Sequence, residues 1–162
     1  MTTFPPYHWP SALLWGFIST LILTSTLSAG RGMGLTRMDI PYMLGTIFTA
    51  DRDRAKWIGF GVHLLNGLLF ALLYVAALIT SGHMTWWFGA VLGVIQSFFV
   101  LTIGMAVLPA VHPRMASEEY GPDPTHQLEP PGFMALNYGR QTPIATVISH
   151  VIYGIVIGLF YR

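Results

Sequence analysis

Histidine is the side chain whose ordinary titration falls nearest neutral pH, and two of the six histidines lie inside long apolar segments. His63 follows Trp57 by six residues, and His150 follows Pro143 by seven. At ~1.5 Å per helical residue each ring would sit ~10 Å inside its segment. Ionisable groups at such depth are costly and mark functional positions more often than chance. Three chemistries fit the pair. In the first, each imidazole is a structural hydrogen-bonding group, satisfied by neighbours such as Thr20, Asn66, Gln96, Ser97, Ser149 or Tyr153. In the second, both are cofactor ligands, axial to a b-type haem iron or each on the magnesium of a chlorophyll-like pigment. Gly67 and Gly154, four residues further on, would then leave room for a flat macrocycle. In the third, His63 and His150 form a proton, metal or quinone site, with the loop acids Asp39 and Glu129 reaching in.

Other chemistry is harder to place. The chain has no cysteine, which excludes disulfides, thiolate metal sites, iron–sulfur clusters and cysteine nucleophiles. No two histidines share a helix at i, i+4, and no phosphate-binding glycine loop or nucleophile elbow occurs. His112 precedes Pro113 and is expected to be exposed, whereas His8, His83 and His126 have no spaced partner. The hydroxyls of Ser19, Thr20, Thr24, Ser25, Thr26 and Ser28 suit helix association rather than nucleophilic attack. The expected catalytic set is therefore empty.

The elements that must carry these histidines follow from composition. Charged residues are 9% of the 162, and hydrophobic residues 53%. A soluble domain, at ~25% charged, could not cover its surface with so few. A net charge of +1 gives no basic face for nucleic acid. Four stretches near the ~20 residues that cross a bilayer run from about Trp9 to Ser28, Trp57 to Ile79, Trp86 to Val107 and Pro143 to Tyr161, none with an acidic or basic residue. The first is expected to be a mature helix and not a signal peptide, since residues 1–10 lack Lys and Arg. Arg31, Arg37, Arg52, Arg54, Lys56, Arg114 and Arg140 all fall in the two long loops, leaving only Arg162 opposite. The positive-inside rule then predicts cytoplasmic loops and both termini outside, in a bacterial inner membrane.

The second and fourth spans repeat one pattern. His63, Gly67, Ala71 and Tyr74 recur as His150, Gly154, Gly158 and Tyr161, a constant 87 residues apart. The first and third echo each other through Gly16 and Gly89, and Asp39-Ile-Pro41 resembles Glu129-Pro-Pro131. The sequence thus predicts an all-α integral membrane protein, 1–162 being a single membrane domain. Its four transmembrane helices form two tandem parallel two-helix repeats, about 9–79 and 86–162. Small or polar residues recur every fourth position, as in Gly16-Thr20-Thr24-Ser28 and Gly89-Gly93-Ser97. Gly16, Gly89, Gly93, Ala71 and Gly158 are expected at helix contacts, where small side chains let backbones approach in lipid. Interfacial helices are predicted over residues 40–49, from the one-faced set Ile40, Met43, Leu44, Ile47 and Phe48, and over about 131–138, ended by Gly139. Asp51-Arg-Asp-Arg54 reads as a solvated turn before the second span.

The run Gly34–Gly45, the runs Glu129–Phe133 and Asn137–Gly139, and the two histidine helices together resemble an uncharacterised family of small bacterial four-helix integral membrane proteins. The resemblance covers most of the chain. It implies the fold and the membrane location, and no activity. The expected function is non-enzymatic: an accessory or assembly subunit whose partners are the lipid bilayer and other membrane subunits or a copy of itself. The alternatives are a haem- or pigment-binding electron-transfer subunit using His63 and His150, and a small channel or transporter subunit.

Overall fold

The computed structural model describes residues 7–117 and 128–162. His126 lies outside them. Four helices are long and apolar enough to cross a membrane: Trp9–Gly32, Arg52–Ser81, Trp86–Val111 and Thr142–Phe160. No named strand occurs among the described residues; a single bridge joins Met115 and Leu128.

Helix α1 (Trp9–Gly32) carries Pro10 in its first turn, where a missing N–H costs nothing. Helix α2 (Ile40–Gly45) begins at Asp39, whose carboxylate accepts from the Tyr42 N–H at 3.1 Å. Helix α3 (Arg52–Ser81) begins at Asp51, which caps the Arg54 N–H at 2.8 Å, and ends on Gly82 at φ 71°. Arg52, Asp53 and Arg54 therefore form the first turn of α3, not a separate turn ahead of it. The Asp51 cap satisfies the leading amides, and Asp53 near the N-terminus suits the helix dipole.

The third span is not one regular helix. Helix α4 (Trp86–Phe99) passes into a π-helical turn over Val100–Gly104, where the Met105 amide reaches back five residues to the Val100 carbonyl. Helix α5 (Met105–Val111) follows, with Pro109 inside it. A proline there removes one backbone donor. The span thereby extends past Val107 to Val111. Residues 133–138 form a 3₁₀ turn ended by Gly139. Met134 and Ala135 adopt left-handed backbone angles within it. Helix α6 (Thr142–Phe160) completes the chain.

The predicted helix over 40–49 is shorter than its periodicity suggests. Thr46 ends it, its hydroxyl donating at 2.9 Å to the carbonyls of Tyr42 and Met43. Two glycines press α2 against the first turns of α3. A methyl group at Gly59 would collide with the Pro41 carbonyl, and one at Gly45 with the Ala55 backbone. The spans pack α3 on α1, α1 on α6 and α6 on α4, while α3 and α4 touch little. Gly16 meets Ala71, Gly67 meets Thr20, Gly89 meets Gly154, Gly93 meets the His150 carbonyl, and Gly158 meets Thr85 and Trp86. The stripe of α1 does not face inward throughout. Gly16 and Thr20 are buried, but Ser28 is exposed, while Leu27 and Gly30 beside it carry the buried face at that end of α1.

Replacing Gly59 by Val is expected to destabilise the protein by about 1–3 kcal/mol through overpacking at α2, measured by denaturant unfolding in detergent. Gly32→Ala, where no atom lies within 4 Å, should leave stability unchanged or slightly raised.

Candidate functional site

His63 lies on α3 and His150 on α6. They differ in their hydrogen bonding. Nδ1 of His150 donates to the Thr146 carbonyl at 2.8 Å, one turn earlier. This fixes its tautomer and leaves Nε2 as the free nitrogen. Nε2 of His63 is enclosed and has no hydrogen-bond partner among the described residues. An enclosed ring nitrogen without a partner is uncommon and costs on the order of 1–3 kcal/mol.

The neighbours that sequence offered to the imidazoles are engaged elsewhere. Tyr74 donates to Gln96 at 2.7 Å, and Tyr153 donates to the Gly67 carbonyl at 2.5 Å. Thr20, Ser97 and Ser149 return their hydroxyls to carbonyls of their own helices, the usual resort of these side chains in lipid. Asn66 is exposed. The space beside the two glycines is also taken, by the Thr20 side chain at Gly67 and by the Gly89 backbone at Gly154.

His63 instead lines a crevice with Thr24, Leu27, Ser28, Arg31, Met38, Asp39, Ile40 and Pro41, large enough for about one water molecule. Asp39 and His63 thus line the same crevice. The Asp39 carboxylate also pairs with Arg31, at the end of α1. Glu129 does not come to either histidine. It is exposed and pairs with Arg37 at 3.1 Å, a pair of small energetic weight in water. Among the described residues no group of three or more His, Asp or Glu converges as a metal site would require.

His112 is buried, contrary to its expected exposure. It continues the inward stripe of Leu101 and Met105, both buried. Counting that helix period onward to residue 112 would have placed it. Its Nδ1 accepts from the Arg114 N–H at 3.1 Å, so Nε2–H donates to the Met43 carbonyl at 2.9 Å. The Arg114 guanidinium donates to the Thr46 carbonyl at 2.7 Å. The end of the third span therefore holds the C-terminal end of α2, where cationic donors are favourable. The two loops also join directly. Arg37 N–H donates to the Tyr138 carbonyl at 2.7 Å, Thr36 and Thr142 share a hydrogen bond of 2.7 Å, and Tyr138 donates to the Glu129 carbonyl at 2.6 Å. Burial pushes the Tyr138 phenol up to about 12, so it remains a donor at neutral pH. At the other end, Tyr7, Trp9, Trp15, Phe160 and Tyr161 close the bundle with ring contacts.

Four helices long and apolar enough to span a bilayer mark an all-helical integral membrane protein. No family model matches the chain, and no curated protein and no solved structure matches it.

Burial lowers the proton affinity of His112 in the folded protein, with Arg114 acting in the same direction and the bond to Met43 opposing. The neutral form is therefore the folded form. Its stabilising contribution is whole above the unfolded value of ~6.5 and declines as pH falls from there toward the lower folded value. The protection factors of the amides at residues 46–49 should fall below pH ~6.5. His112→Gln should flatten that dependence and cost about 1–3 kcal/mol, read from exchange rates and unfolding in detergent.

Proposed function

We propose that this chain is a small non-enzymatic protein of the bacterial inner membrane, serving a larger membrane complex as an accessory or assembly subunit. One observation carries the reading: apart from Ser19, His63 and Thr85, whose buried polar atoms have no partner, the described polar side chains of the interior are spent on the fold. Tyr74–Gln96 joins α3 to α4 and Tyr153–Gly67 joins α6 to α3, while His150–Thr146 and the back-bonded hydroxyls are satisfied within their own helices. In lipid such bonds and close backbone contacts are what associate helices. The chain's resources are those of a scaffold whose apolar outside meets lipid and neighbouring helices.

The loop side, with its arginines, lies in the cytoplasm in this reading, with both termini outside. Residues 40–49 and 131–138 then rest at the cytoplasmic interface. A tandem duplication accounts for the chain's organisation. Gly16 on Ala71 in the first half has its counterpart in Gly89 near Gly158 in the second. The halves are not identical: α1 packs on α6 while their counterparts α4 and α3 touch little, and the third span carries a π turn that α1 lacks.

A second reading has one observation in its favour. His63 offers a partnerless Nε2, and His150 is anchored through Nδ1 with Nε2 free, the state in which imidazole binds a haem iron or a pigment magnesium.

Extraction of the tagged chain from its own membranes into lipid nanodiscs, followed by native mass measurement, tests the first reading. A complex with one or more defined membrane polypeptides is expected. Recovery of the bare chain alone, or as copies of itself only, would overturn it. A visible spectrum of the same material decides the second: a Soret band lost in a His63→Phe, His150→Phe variant supports ligation, and a featureless spectrum removes it.

A further inference from the structure

Asn66 lies on α3 nine residues past Trp57 and thirteen before Ile79, so at ~1.5 Å per residue it stands near mid-membrane. It is exposed and has no hydrogen bond among the described residues. The exposed serines of α1 can return a hydroxyl to the preceding turn, as Thr24 and Thr26 do. A primary amide is poorly shaped for that, and acyl chains offer it nothing. An outward amide at this depth calls for a partner in the membrane.

The surroundings of Asn66 suit a helix. Leu65, Leu69 and Leu73 are 53–63% exposed at four-residue spacing, and Ala76 continues their line. These residues and Asn66 fall within ~100° of the helix circumference. Gly61, a turn nearer the loops, is exposed with no atom within 4 Å of where a side chain would stand, so a neighbouring backbone can come close there. Tyr74, which bonds α4, lies on the opposite side of α3, so no spanning helix of the chain covers this face.

We infer that this face of α3 is a parallel dimer interface between two copies of the chain, with the Asn66 amides hydrogen-bonded to each other across a two-fold axis along the membrane normal. An amide is both donor and acceptor, so it is complementary to itself. A second copy inserted with the same topology brings its Asn66 to the same depth without further design, and a two-fold interface pairs like with like. A different partner would have to place a polar group at that depth independently. Asn66 thereby finds the partner the isolated chain denies it, and the leucines interlock around it.

The inference deepens the accessory reading by naming one contact of the subunit. The full-length chain, labelled with donor or acceptor fluorophores, is reconstituted in liposomes, and energy transfer is followed as the protein-to-lipid ratio is varied. A saturable dimer is expected. Asn66→Leu should weaken it tenfold or more, and Asn66→Gln should retain most of it. The absence of native cysteine allows a second measurement. Oxidation should cross-link a Leu73→Cys variant and spare an Ile148→Cys variant, Ile148 being exposed on α6. A chain that stays monomeric at every density, a dimer indifferent to Asn66→Leu, or equal cross-linking at both positions would overturn the inference. Recovery of a foreign membrane polypeptide with a chain that is monomeric in liposomes would overturn the dimer and leave the accessory reading standing. A dimer without any foreign companion would do the reverse.

Discussion

Backbone-to-backbone contact at glycine is the constraint from which the rest of this structure follows. In lipid, helices gain nothing from hiding leucine from their neighbours, so association depends on how closely main chains approach and on the few polar bonds between them. Gly93 lies against the His150 carbonyl, Gly89 against Gly154 and Gly59 against the Pro41 carbonyl. At each of these points a single methyl group has no space. The histidines reach their depths and directions because these contacts set the distance and rotation of α3 and α6.

The loops are part of the same device. Helix α2 is only six residues long, too short to hold its shape alone. It is held by Asp39 at its start, by Gly45 and Gly59 along its flank, and by His112 and Arg114 at its end. Those contacts connect the first loop to the end of the third span, and Thr36–Thr142 connects it to the fourth. The charged end of the molecule is thus one assembly, and the crevice beneath it opens on His63 between Arg31 and Asp39.

The two imidazoles illustrate how similar sequence can end in different environments. His63 and His150 occupy equivalent places in a repeated pattern, each with a glycine four residues later. One is closed off by a bond to its own helix, whereas the other lines a small crevice and has an enclosed nitrogen without a partner. The difference comes from what lies beside each helix: α4 crowds α6 at Gly93, whereas His63 looks past α1 toward the first loop.

The amino-acid sequence by itself determined the four spanning helices, because a bilayer admits only long apolar segments whose backbones are satisfied internally. It also determined the cap at Asp39 and the small residues at the contacts, since capping and close approach depend on residue type, whereas Asp51, which reads as part of a solvated turn, is the cap of α3. Tertiary structure decided which helices touch, since a stripe of small residues does not name its partner. It showed Gly67 to be filled by Thr20 and placed Asp39 in a crevice that His63 also lines, while Glu129 pairs with Arg37. It buried His112, expected at the surface, because the third span continues through a π turn and past Pro109, carrying its inward stripe onto α2. Periodicity records which side of a helix is special. Only the position of the neighbouring helix decides what that side will meet.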